Sequence, residues 1–460
     1  MRWIVAGCAA AALLSLLVLP SAPLHDQWAW LVWGREVAHL QLDLGAGPAW
    51  KPLPVMITAL LSPLGDAAPE LWLAVARFGG FLALAFGFRL AARIAGWPAG
   101  AVAVIVLLST WLLSVALGIA EGLMVGLLLW AIDRHLDGHR GHALLLAFAA
   151  TLIRPEVWPF LALYAGVFLL REPRLRVGAI VLLVLTPVLW LAPDLLSGDA
   201  MRSSQQAQGI AGSTPDPGVI VRRALDLLPW PVHLAALAGV VEAVRRRHPT
   251  AVLLAAAAAG WVVVEVVLSL VAGYQGVARF LYPTLALEAV LAGVGVAWTT
   301  QFLARSLSAR VGRPRITGAR ALSVGAIAVV LVPLAAWRLE RLSSELAPTT
   351  ARAGFYAQLG DAVERAGGAE RLRGCGVPFS STAQAPAVAW KLDVPIARVR
   401  SRPRSPGFVL RVAPDQRARI ESNVLPVQTV TLRAARFPRT ANAGAWEVRE
   451  SCSGQLAQRR

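Results

Sequence analysis

Long apolar runs recur along the chain as far as residue 338, separated by short polar turns. A helix crossing a bilayer needs about 17–25 predominantly apolar residues. Such runs lie near 2–20, 70–94, 97–116, 118–135, 141–154, 156–171, 176–193, 229–246, 250–272, 279–301 and 319–338. They predict a mainly α chain, a polytopic transmembrane helical bundle of about 11 spans, with 141–154 the shortest. The run 52–64 opens Pro52-Leu53-Pro54 and ends Ser62-Pro63-Leu64-Gly65. It is too short to cross and reads as a segment dipping into the interface.

Two regions break this pattern. From Asp26 to Leu40 the apolar positions Trp30, Trp33, Val37 and Leu40 recur at helical spacing, with Arg35, Glu36 and His39 on the other side. This predicts an interfacial amphipathic helix over 26–40, inside a polar loop 21–69, with Trp28, Trp30 and Trp33 as interface aromatics. Beyond 338 the sequence loses its long apolar runs. Phe355 to Ala366 has helical periodicity, and short strand-like runs follow at 373–377, 396–399, 407–412, 429–434 and 446–450. The expected organisation is a transmembrane domain, 1–338, and a small C-terminal α/β domain, 339–460.

Composition supports the membrane reading and charge gives it a direction. The chain is 57% hydrophobic and 15% charged, with a mean hydropathy of +0.59. Its net charge of +17 sits in short clusters between apolar runs. That distribution follows the positive-inside rule and does not indicate nucleic-acid binding. With the N-terminus inside and 52–64 not crossing, the inner turns carry Arg89 and Arg93; Arg134, His139 and Arg140; Arg171, Arg174 and Arg176; Arg245-Arg246-Arg247; and the arginines of 305–320. The alternate turns carry Asp26, Asp43, Glu121, Asp194, Asp199 and Asp216. Counting 52–64 as a span would reverse every later loop. The loop 21–69 and the C-terminal domain are therefore expected on the outer face of a cytoplasmic membrane. There Cys375 and Cys452 would either form a disulfide or remain two thiols. The seven histidines lack metal-ligand spacing and the C-terminal region has no Gly-rich phosphate loop, so no metal centre is assigned and no cofactor is expected, a divalent-metal requirement being left open.

Candidate chemistry lies in the first outer loop. Asp26 starts the interfacial helix, where a carboxylate serves either as an N-cap or as a partly desolvated base. Asp43 is a second, more exposed acid. Lys51 and Lys391 are the only lysines among 44 basic residues. Lys51, placed before two prolines, suits a lipid phosphate, or simply snorkels to the interface. Further along, Arg154-Pro155-Glu156, Glu121 and mid-span Glu265 place charges where insertion costs about 2.5–3.5 kcal/mol each. Arg154 and Glu156 could pair with each other, which would be a structural solution, and Glu265 is expected to face the interior. Arg279, Arg222 and Arg223 are further anion-site candidates.

These features together resemble the GT-C superfamily of polytopic glycosyltransferases. Asp26 follows the first span as that family's catalytic acid does. Trp50-Lys51-Pro52-Leu53-Pro54 resembles the segment closing the first outer loop in the aminoarabinose and mannosyl transferase branch. Ala76-Arg77-Phe78, Arg89-Leu90-Ala91-Ala92-Arg93 and Arg154-Pro155-Glu156 resemble later landmarks. The likeness covers roughly 1–340. Gln27 stands where many members have a second acid, which leaves metal dependence open. The resemblance implies transfer of a sugar from a polyprenyl-phosphate donor to a hydroxyl of a glycan, lipid or protein acceptor, with inversion. Asp26 would be the base, Lys51, Arg279 and Arg222 would hold the donor phosphate, and Glu121 would orient the acceptor. Two other classes remain: a lipid or solute transporter or flippase, to which Glu265 would suit a translocation path, and a non-catalytic envelope assembly protein using the C-terminal domain as its partner surface.

Overall fold

The computed structural model describes residues 1–19, 22–199, 202–208, 216–274, 276–311, 346–417, 419–420 and 437–452, with single positions at 336, 340, 344 and 430. In chain order the helices are α1 (Arg2–Val18), α2 (His25–Ala38), α3 (Pro52–Leu61), α4 (Ala68–Ala95), α5 (Trp97–Ala116), α6 (Ala120–Leu136), α7 (Arg140–Thr151) and α8 (Trp158–Tyr164). There follow α9 (Pro173–Leu196), α10 (Arg202–Gln208), α11 (Pro217–Asp226), α12 (Trp230–Arg245), α13 (Pro249–Ala272) and α14 (Tyr282–Val311). A helix α15 over 346–365 leads into α16 (Gly368–Cys375), α17 (Ala385–Leu392) and four short strands.

Every apolar run expected between 2 and 301 coincides with helix; the run 319–338 lies outside the described residues apart from 336. Four segments are long and apolar enough to cross a membrane: Pro52–Ala95, Pro173–Leu196, Pro249–Ala272 and Ala278–Ser306. A fifth arises if α11 and α12, bent by 94°, form one span. The chain is therefore a membrane protein. Among the other expected runs, α1, α6, α7, α8 and α12 have 17, 17, 12, 7 and 16 residues, and 319–338 lies outside the described residues apart from 336. α3 has 10 residues, a length of about 15 Å, half of a hydrocarbon core. A 3-10 turn (Ser62–Ala67) with Gly65 at φ 56° separates it from α4.

Contacts divide the chain into two units, one of 1–15, 74–189 and 207–343, the other of 16–73, 190–206 and 344–460. In the second unit the first outer loop groups with the C-terminal region.

In the first unit, small residues let helix backbones approach, as expected where apolar packing has no solvent to drive it. A Cβ on Gly79 would collide with the backbone of Leu123, joining α4 to α6, and one on Gly295 with Ala235 O, joining α14 to α12. Arg77, fully buried on α4, donates to Ala116 O at 2.9 Å and to Ser15 O at 3.1 Å, tying α1, α4 and α5. At the other end of α4, Arg89 Nε meets Asp133 Oδ1 at 2.7 Å on α6.

In the second unit, α3 folds back on α2. Gly34 leaves room for Thr58, whose hydroxyl donates to Trp30 O at 2.6 Å. α17 packs on the same helix: Arg35 reaches Asp393 at 2.9 Å and Val394 O at 3.0 Å, with its guanidinium 5.2 Å from the Trp390 ring. The described strands run β1 (Val377–Phe379), β2 (Gly407–Val412), β4 (Trp446–Ser451), β3 (Arg439–Ala443), with β1–β2 parallel and the β2–β4 and β4–β3 pairs antiparallel. Phe379, Val409, Val430 and Phe437 form a core cluster on it. Cys375 and Cys452 are joined as a disulfide, Cα–Cα 4.6 Å, across α16 and the end of β4.

The strand expectations at 407–412 and 446–450 match β2 and β4. The run 373–377 instead completes α16 before β1, and 396–399 forms a 3-10 turn (Ile396–Arg398), whose extended entry follows Pro395. The run 429–434 lies outside the described residues except Val430. α17 and β3 were not expected from the sequence.

Candidate functional site

The interfacial helix starts one residue before the position read from its periodicity, and this changes the role of Asp26. Leu24 is the N-cap, and its N–H donates to Gln27 Oε1 at 2.9 Å. Asp26 is thus not the capping residue. It sits in the first turn, where the aligned peptide dipoles favour a carboxylate. Its side chain is 30% exposed and His25 Nδ1 lies 3.3 Å away.

Trp30 is four residues on and shares the Asp26 face of α2. Lys51, only 7% exposed, places Nζ 5.1 Å from the Trp30 ring centroid. This is a cation–π contact. The α2–α3 hairpin puts it there: Lys51 is the residue before α3, Pro52 fixes the first helical position, and Thr58 locks α3 to the Trp30 carbonyl. Trp30 is held in turn by an edge contact with Trp72, 5.4 Å between centroids. Lys51 is thereby tied to α2 through Trp30, one helical turn on from Asp26.

Of the polar side of α2, His39 is exposed, but Arg35 and Glu36 are covered. Arg35 points into α17, and Glu36 is buried, its Oε2 accepting the Asp43 N–H at 2.9 Å. Burial pushes the Glu36 carboxyl up to about 7 against the pull of that hydrogen bond. Asp43 spends its own Oδ1 on Gly45 N, at 2.7 Å, so the second acid of the loop shapes a turn. Leu40, expected on the apolar stripe, falls past the helix end and is 94% exposed.

The remaining candidates collect in the first unit. Pro155 keeps Arg154 extended (φ −144°, ψ 131°) and starts a 3-10 turn, so the Arg154 side chain folds over Glu156. Its Nε lies 3.1 Å from Glu156 Oε2, and Nη2 also engages Glu156 Oε1, giving a two-point pair. The guanidinium stacks 3.4 Å above the Phe280 ring. Glu121, buried in the first turn of α6, lies between two cations: Arg154 Nη1 at 3.6 Å and Arg279 Nε at 3.7 Å. The charges of this cluster are taken up chiefly by one another. Glu265 faces the interior, as expected, and stands within the field of Glu156 and Arg154. Neither of its oxygens accepts a hydrogen bond among the described residues, since the one N–H of nearby Trp261 donates to Phe280 O at 2.8 Å. Arg222 is 71% exposed and pairs with Asp216 at 3.4 Å. Its neighbour Arg223 binds Gly276 O, in the loop that leads to Arg279.

An apolar cavity of about 430 Å³ adjoins this cluster, lined among others by Val125, Leu129, Phe160, Leu253 and Trp261. Trp261 serves both: its ring lines the cavity and its N–H holds the Phe280 carbonyl. Trp261 and Phe280 escaped sequence reading, since single aromatics in apolar segments carry no local signal. Among the described residues, the metal-ligand types that come together are Cys375, Glu450 and Cys452, and the two sulfurs are bonded to each other.

No family model matches the chain, and no curated protein does. Among solved structures it is similar to ArnT from Cupriavidus metallidurans bound to undecaprenyl phosphate, at 16% identity, a TM-score of 0.58 and 98% of each chain covered. The apo form of the same ArnT matches over the same share of each chain at a TM-score of 0.54. From end to end, the chain has the fold of ArnT.

Proposed function

We propose that this protein is a membrane glycosyltransferase that moves a sugar from a polyprenyl-phosphate donor to an acceptor hydroxyl at the outer membrane face. The observation that carries this reading is the likeness, over 98% of the chain, to a structure holding undecaprenyl phosphate. The first unit supports it: an apolar cavity beside a cluster of guanidinium groups matches an amphiphile with an isoprenoid tail and a phosphate head.

Asp26 accepts the acceptor hydroxyl proton as that oxygen attacks the anomeric carbon. The new C–O bond forms as the bond to phosphate breaks, polyprenyl phosphate leaves with the electron pair, and the anomeric centre inverts. Lys51 and, in the first unit, Arg279 and Arg222 are the separate candidates for the charge on the departing phosphate. Glu121 positions Arg279 and Arg154 as well as the acceptor. The N-terminus lies inside and the C-terminal region outside, as the distribution of arginines favours. The transporter reading keeps one point in its favour, the hydrogen-bond-poor Glu265 in mid-span.

The test is Asp26→Asn in membranes supplied with a polyprenyl-phosphate-linked radiolabelled sugar. Label incorporation should fall by about 10²–10⁴-fold at equal expression. Undiminished transfer would remove Asp26 as the base.

A further inference from the structure

Four arginines alternate in the segment Arg398-Val399-Arg400-Ser401-Arg402-Pro403-Arg404. Its backbone is pinned to the edge of β1: Arg400 N donates to Pro378 O at 3.0 Å and Ser380 N to Arg400 O at 2.9 Å. Val399 is buried beneath, while the four arginines stay at the surface. With Arg373 of α16 they line a cavity of about 580 Å³ that has Val377 and Phe379 in its wall and no carboxylate among its lining residues.

The charges of this cavity are poorly balanced within the fold. Arg373 has Leu392 O at 2.7 Å and Asp393 at 3.9 Å. Among the described residues the other four make no ion pair, because the nearby sheet acids are committed elsewhere. Glu447 is held by Arg411 and Arg449, and Glu450 by Arg371. Like charges gathered round a concavity repel one another and focus a positive potential into it. Folding alone gives no reason for that arrangement. An anion supplies one, and a fork of guanidinium donors matches phosphate oxygens two at a time. A flat bilayer would be met by a flat basic face, whereas this one is a cavity.

We infer that the C-terminal region binds a small phosphate- or diphosphate-bearing ligand in the cavity lined by Arg373, Arg398, Arg400, Arg402 and Arg404. The ligand is either free in solution or the head group of a lipid. Binding there does not require the Asp26 chemistry.

The probe is inorganic pyrophosphate, titrated by calorimetry into the full-length protein in nanodiscs of zwitterionic lipid. Saturable binding is expected, weakened by about tenfold or more in Arg402→Ala/Arg404→Ala. Arg402→Lys/Arg404→Lys, which keeps charge but loses the fork, should fall between. The thermal transition of each variant checks folding, and both positions are exposed. Repeating the titration in nanodiscs containing phosphatidylglycerol separates the sources. Loss of pyrophosphate binding there identifies a lipid head group, and unchanged binding a soluble ligand. No saturable binding in zwitterionic nanodiscs, or equal affinity in the alanine variant, would overturn the inference.

Discussion

Two sets of carboxylates were candidates for the chemistry, and they are built in opposite ways. Glu121 and Glu156 are almost wholly buried and face guanidinium groups: Glu156 makes a two-point pair with Arg154, and Glu121 lies between Arg154 and Arg279. Asp26 is 30% exposed, at a helix start whose capping is done by Gln27. On the proposed function, the first set acts through its cation partners and Asp26 takes the proton.

The comparison breaks most visibly at Arg154. Arg154→Ala leaves Glu156 and Glu121 buried without their shared cation, and should cost about 5 kcal/mol, seen as a collapsed thermal transition or lost expression. Asp26→Asn should leave that transition in place. In the C-terminal region the disulfide closes a 77-residue separation. Cys375→Ser/Cys452→Ser should therefore cost about 4 kcal/mol in a denaturant or thermal melt, with the first unit spared.

A third prediction concerns pH. The folded Glu36 carboxyl titrates near 7, above its unfolded value, so between the two the folded chain holds the extra proton. Its stability is fullest below the unfolded value, declines as pH rises toward 7 and then levels off, a span of roughly 3 kcal/mol. Glu36→Gln should flatten that slope in melts taken across the range. The smallest effect belongs to Arg222. As an exposed residue paired with Asp216, Arg222→Ala should move stability by less than about 0.5 kcal/mol. If Arg279 carries more of the donor phosphate, Arg279→Ala should raise the donor KM more than Arg222→Ala does.

Much of this was legible in the chain. Helical periodicity located α2 to within two residues, and the Arg-Pro-Glu spacing anticipated a pair that Pro155 enforces. Gly65 and the prolines of 52–64 foretold the break after α3. What the sequence hid depends on distant partners. Glu36 reads as a surface acid until Asp43 returns its N–H to it, and Arg35 reads as solvated until α17 arrives some 350 residues later, at Val394 O, a separation of 359. The 396–399 run has β-branched residues at both ends, but Pro395 and the pairing of Arg400 with β1 make it a turn. Periodicity reports which face is apolar, and cannot report which polar face will be covered.

The most direct test compares donor binding with sugar transfer in the same variant. Purified Asp26→Asn should bind a polyprenyl-phosphate sugar as tightly as the unaltered protein, while single-turnover transfer falls by about 10²–10⁴-fold. Loss of donor binding in step with transfer would make Asp26 a binding residue, and transfer at the normal rate would contradict its role as the base.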